Sequence, residues 1–185
     1  RTGVDALGSA SADVIVLDAY AAGRVPAELV TPAFLTDVAR VLAPGGLLLA
    51  NLADEPGLRW AARVLATIAA VEGMADLAIL ATHDVLKGRR FGNLVAVASK
   101  VGPQPLATPA QADSASRRLA SPTHAAHPPR LDVSALQRVA ASAPIPTGVR
   151  LGSDLTRLIA GAKPFTDTDA VESPSPPELG AWRVR

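Results

Sequence analysis

Between Val14 and Ser99, short apolar runs alternate with longer stretches whose apolar residues recur at helical spacing. This alternation confines the chain to an α/β layer fold, in which each strand is covered by the helix that follows it. Val14-Ile15-Val16-Leu17 is β-branched and has no polar alternation, which predicts a strand buried on both faces. A helix follows with both ends marked. Thr31 is its predicted N-cap and Pro32 its first residue, Phe34, Leu35, Val38, Val41 and Leu42 form its apolar stripe, and Pro44-Gly45-Gly46 stops it. Leu47 to Leu52 reads as a second buried strand, and a second helix carries a stripe of Leu58, Ala61, Ala62, Leu65, Ile68 and Ala69. Two further strands, LAILATH and NLVAVAS, flank the polar connection DVLKGRRFG, which is too short for a crossover helix and predicts antiparallel pairing.

The rest of the chain reads differently. Residues 101–130 hold six prolines and few large apolar side chains, so 102–130 is predicted to be a flexible insertion. LDVSALQRVAASA and GSDLTRLIAGA predict two short amphipathic helices, the second capped by Ser153. The expected division is thus an α/β part over 1–101, the insertion over 102–130, a helical extension over 131–174 that packs back on the domain, and a disordered tail over 175–185.

Composition removes several function classes. With 18 basic and 17 acidic residues spread along the chain, there is no field to attract nucleic acid. The absence of cysteine excludes disulfides and thiolate metal sites. The longest apolar windows are broken by Pro-Gly-Gly or Arg63 and fall short of the roughly 20 residues a spanning helix needs. The first residues lack the apolar segment of a signal peptide, and the expected location is cytoplasmic. A start at Arg1 rather than Met suggests a piece of something longer.

Asp18 ends the first strand and is followed by a small-residue loop to Pro26. Ligands of open α/β sheets gather at the carboxyl ends of strands, which makes this acid the leading candidate site residue. The reading of it as a mere turn former stays open. DVIVLDAY, followed by VPAELVTPAFLTDVARVLAPGGLLLANL, resembles the second half of the catalytic domain of spermidine synthase-like aminopropyltransferases, within the Rossmann-type methyltransferase fold group. FGNLVAVAS is similar to that family's last strand, and KPFTDTDAVESP to its late Thr-Asp-Asp segment. The resemblance spans about 12–100 and 164–174. It implies a Rossmann-like partial sheet of the S-adenosylmethionine-methyltransferase type, truncated at its N-terminus, with decarboxylated S-adenosylmethionine or S-adenosylmethionine as co-substrate and a small-molecule amine or other nucleophile as acceptor. It further implies that Asp18 takes a proton from the attacking amine, that Asp18, Ala19, Tyr20 and Pro26 line the co-substrate, and that Tyr20 and Asp167 meet the acceptor.

The chain departs from that pattern in three places. Ala21 stands where the polyamine synthases carry a second acid, and Arg24 brings positive charge toward the loop, which favours an anionic or neutral acceptor. No glycine-rich turn or ribose-binding acid precedes Asp18 within these residues. An ordinary methyltransferase, and a non-catalytic remnant or interaction module, are therefore alternatives, and a second copy or a partner chain is a candidate to complete the sheet. His124 and His127 lack the other ligands of a zinc site, and Asp167 and Asp169 lack the glycine and glutamate of a calcium loop. His83 is read as a loop histidine at the sheet edge, and Lys87 to Arg90 as a solvated basic turn.

Overall fold

The computed structural model describes residues 2–102 and 131–178. The predicted insertion, with His124 and His127, and the last residues of the tail lie outside them. After a short helix α1 (Thr2–Asp5) come β1 (Ala12–Leu17), α2 (Pro32–Val41), β2 (Leu42–Asp54), α3 (Arg59–Ala70), β3 (Met74–Thr82), α4 (His83–Leu86), β4 (Gly92–Lys100), α5 (Val133–Ser142), β5 (Thr147–Leu151) and α6 (Gly152–Ile159). The described strands form one five-stranded sheet in the order β1-β2-β4-β3-β5. β1 and β2 are parallel, and β4 and β5 run against their neighbours, so β1, β2 and β3 all point the same way.

The predicted helix signals operate as chemistry. The Thr31 hydroxyl accepts the Phe34 N–H at 3.2 Å, Pro32 opens α2, and Phe34, Leu35 and Val38 are buried. Those side chains meet Leu48, Ala50 and Leu52 of β2 and Leu94, Ala96 and Ala98 of β4 in one core. Because side chains alternate along a strand, Leu47, Leu49 and Asn51 belong to the opposite face of the sheet. Close approach of β1 to the start of β2 depends on Gly46, where a Cβ would stand 2.9 Å from the Ala43 carbonyl and 3.0 Å from that of Asp13.

Four expectations are corrected. The first strand is not buried on both faces: Val14 and Val16 are 50% and 65% exposed, because β1 is an edge strand with one neighbour and α2 and α3 lie on the other face. The segment read as wholly helical contains β5, which adds to β3 in register Ala78↔Leu151 through Thr82↔Thr147. Ser153 does not cap α6, which begins at Gly152 with Leu151 in the cap position and no side-chain cap. Finally, α3 is buried beyond its predicted stripe, Trp60, Val64 and Thr67 included. The chain returns over its outer side: Phe165 is 2% exposed, its N–H donates to the Thr67 hydroxyl at 2.8 Å, and Arg63 stacks on its ring at 3.9 Å. Among the described residues no helix is long and apolar enough to cross a membrane.

Candidate functional site

At the carboxyl end of β1 the chain leaves the sheet, and Asp18 stands exposed beside β2. Asn51 Nδ2 donates to Asp18 Oδ1 at 2.9 Å, and the Tyr20 hydroxyl donates to the Asn51 carbonyl at 3.3 Å. One carboxylate oxygen is thereby oriented and the other has no protein donor among the described residues. Partial burial, and then the negative charge of Asp18, raise the Tyr20 pKa above its ordinary 10.0, so the phenol stays protonated and remains a donor. Asn51 was not singled out from the sequence. Its signal was there, as a polar residue interrupting an apolar strand one position beyond the pair Leu17↔Ala50.

The loop after Asp18 is built as a tight hairpin. Ala21 and Arg24 exchange backbone hydrogen bonds at 2.8 and 3.0 Å, and Ala22 and Gly23 between them have φ of 50° and 77°. Two positive φ values in a two-residue loop are the pattern of a type I′ turn. Ala19 is exposed, and Pro26 is half-buried where it opens the 3-10 turn Ala27–Leu29. Arg24 does not carry a free charge toward the acid: its guanidinium pairs with Glu172 at 2.8 Å and donates to the Ser173 carbonyl at 2.7 Å. Ser173, fully buried, also accepts the Val25 N–H on its hydroxyl at 2.9 Å and donates its own N–H to the Val25 carbonyl at 3.1 Å. The tail therefore straps the loop that carries Asp18.

Asp167 has a structural employment: its Oδ1 accepts the Ala33 N–H at 2.9 Å in the first turn of α2. Asp169 is likewise a turn residue, and the Thr166 N–H, then the Arg63 side chain at 2.8 Å, hold its carboxyl below the ordinary range. No contact joins either to Asp18 among the described hydrogen bonds. Asp54 ends β2 fully buried, with one oxygen on the Glu55 N–H and the other on the Ala61 N–H, each at 2.8 Å. Burial raises its pKa despite these donors; one oxygen is turned into the first turn of α3 and the other to the N–H of the next residue. His83 opens α4 at the same sheet edge as Asp18, since β3 runs with β1 and β2. Among the described residues no three His, Asp or Glu side chains lie close enough to hold a metal ion.

These features define an α/β protein with the Rossmann-like methyltransferase fold and an oriented acid at the tip of an edge strand. The particular likeness is to a probable spermidine synthase from Corynebacterium glutamicum ATCC 13032, with TM-score 0.65 and 27% sequence identity over 95% of this chain and 54% of that one. The fold is spermidine synthase-like, and the chain spans about half the length of that solved structure. No protein-family profile matches the sequence, and no curated protein matches it.

Proposed function

We propose that this chain is the acceptor-side half of a spermidine synthase-like transferase. The observation that carries the reading is the Asp18–Asn51–Tyr20 arrangement at the carboxyl ends of two parallel strands, where open α/β sheets bind ligands. An exposed carboxylate with one oxygen pinned and the other open suits a cationic group. No described cation competes for it, since Arg24 is paired to the tail. An S-adenosyl-type sulfonium, held here by Asp18 with the Ala19–Tyr20 backbone and Pro26, supplies an alkyl carbon activated toward a nucleophile. Asp18 holds the acceptor's amine and receives its proton on the open oxygen, and Asn51 keeps the carboxylate aimed while that charge is neutralised. The glycine turn and ribose acid that would fix the adenosine end have no counterpart in residues 1–185. In this reading they come from polypeptide packed on the open edge and face of β1, at Val14 and Val16.

A second reading, an S-adenosylmethionine-dependent methyltransferase, is favoured by Ala21, whose place in the turn offers no second carboxylate for a diamine.

The test is turnover by the protein as the cell makes it, with decarboxylated S-adenosylmethionine or S-adenosylmethionine as donor. Asp18→Asn keeps size and most hydrogen bonds but removes charge and basicity, so turnover should fall by about a hundredfold or more with Tm nearly unchanged. Turnover that survives in Asp18→Asn refutes the reading, and the donor that supports turnover separates its two forms.

A further inference from the structure

A second concave site lies along the same sheet edge, where α4 covers the ends of β4 and β5. Two glycines admit it there. A Cβ on Gly92 would stand 2.5 Å from Val85 Cγ2, and one on Gly148 would stand 3.0 Å from both His83 Cδ2 and Leu86 Cδ1. The imidazole of His83 is therefore seated directly on β5. Between α4, the start of β4 and the segment before β5 is an open pocket of about 620 Å³, lined by Thr82, His83, Asp84, Lys87, Arg90 and Asn93 among others.

Its charge is unbalanced. Lys87 and Arg90 take part in none of the ion pairs of the described residues, and the single lining acid, Asp84, stands in none either. Two permanent cations thus face one carboxylate, with an imidazole, a hydroxyl and an amide as further hydrogen-bonding groups. The Asp18 end has the opposite character. The two ends lie at the same end of the sheet: Asn93 shares the face of Asn51, two residues along β4 from its partner Val95, and His83 reaches the pocket from the other face, over Gly148. From β1 to β3 is three strand spacings, roughly 14 Å.

We propose that the His83–Lys87–Arg90 pocket binds the oxyanion of a carboxylate- or phosphate-bearing small molecule, and that this molecule is the acceptor, presenting its amine at Asp18 and its anionic end here. Identification of the ligand as the acceptor rests on the transferase reading above; anion binding by the pocket does not. An acceptor of this class differs from a simple diamine, whose second ammonium Lys87 and Arg90 would repel.

Inorganic phosphate and glutarate, each titrated into the isotope-labelled 185-residue chain at constant ionic strength, test the proposal by NMR. Saturable shifts are expected at the His83 imidazole and the Gly92 and Asn93 amides. They should weaken about tenfold or more in Lys87→Ala/Arg90→Ala and persist in the charge-keeping Lys87→Arg/Arg90→Lys. The anion that saturates the pocket at lower concentration tells phosphate from carboxylate. Absence of saturation with both anions, or equal shifts in the double alanine variant, overturns the site. Saturation together with unimpaired turnover by Asp18→Asn would instead remove the transferase reading and leave the anion site standing.

Discussion

Replacing Asp54 with Ala removes the acceptor of two backbone N–H groups at once, those of Glu55 and Ala61, each held at 2.8 Å. The two donors differ in what happens next. Ala61 is 0% exposed, so its N–H loses its partner with no access to water, at a cost of about 1–3 kcal/mol. Glu55 is exposed and water can take over its N–H, so that loss is about 0.5–1 kcal/mol. The sum is roughly 1.5–4 kcal/mol, less whatever is recovered by no longer burying a carboxylate. Asp54→Asn keeps one carbonyl acceptor but sets an amide donor against the second N–H, and should cost about half as much. The two variants also differ in pH dependence. Burial holds the Asp54 carboxyl above its ordinary 3.8 in the folded chain, so the folded state binds that proton more tightly than the unfolded state. Its contribution is fully present below the ordinary carboxylate value and is lost as pH rises through the raised one. Asn does not titrate, and the penalty of Asp54→Asn should therefore be smaller at about pH 7 than at about pH 4. Urea unfolding of parent and both variants at these two pH values measures all of this. An alanine variant within about 0.5 kcal/mol of the parent, or an asparagine penalty that grows with pH, would refute the assignment of Asp54 as the buried acceptor for the first turn of α3.

Other perturbations test the strap and the turns. Asp169 is held below the ordinary carboxylate range, so its hold on Thr166 and Arg63 is present above that range and lost as pH falls through the depressed value. In a Trp182→Phe background, the emission of Trp60, whose indole N–H donates to the Val171 carbonyl at 2.9 Å, should shift to the red only in strong acid, and in Asp169→Asn already at neutral pH; identical profiles would count against a tail held by Asp169. Gly46→Ala should cost about 1–3 kcal/mol, because the groups a Cβ would meet are backbone carbonyls that cannot turn aside; an unchanged unfolding midpoint would contradict the close approach of β1 and β2. Ala22→Asn should stabilise by about 0.5 kcal/mol and Ala22→Val should destabilise by about 1 kcal/mol or more, since φ of 50° suits Asn and strains a β-branched residue; the reverse order in thermal unfolding would exclude the type I′ turn.

The α/β class, α2 with its Thr31 cap and Pro32, and the antiparallel β3–β4 pair were legible because each is encoded within a few neighbouring residues. Period and cap act through the local backbone. Asp18 was legible for a similar reason, as an acid that ends an apolar run. The predicted stop was not: α2 ends at Val41, and Leu42 and Pro44-Gly45-Gly46 belong to β2, because the chain is already extended to pair beside β1. β5 was harder to read. It is short, flanked by proline and contains glycine, and it is a strand only because β3 offers an unpaired edge to it.

What the sequence determined by itself was therefore the identity and order of its elements and the position of one acid at a strand end. Tertiary structure decided everything that depends on residues far apart in the chain. It brought Asn51 to Asp18 across 33 positions, took the charge of Arg24 out of the site through a tail almost 150 residues away, and turned Asp167 into a helix cap. It also left Val14 and Val16 open where the local pattern indicated burial. The physical reason is that a hydrogen bond or a buried face has two sides, and the sequence displays only one of them until the sheet order places its partner.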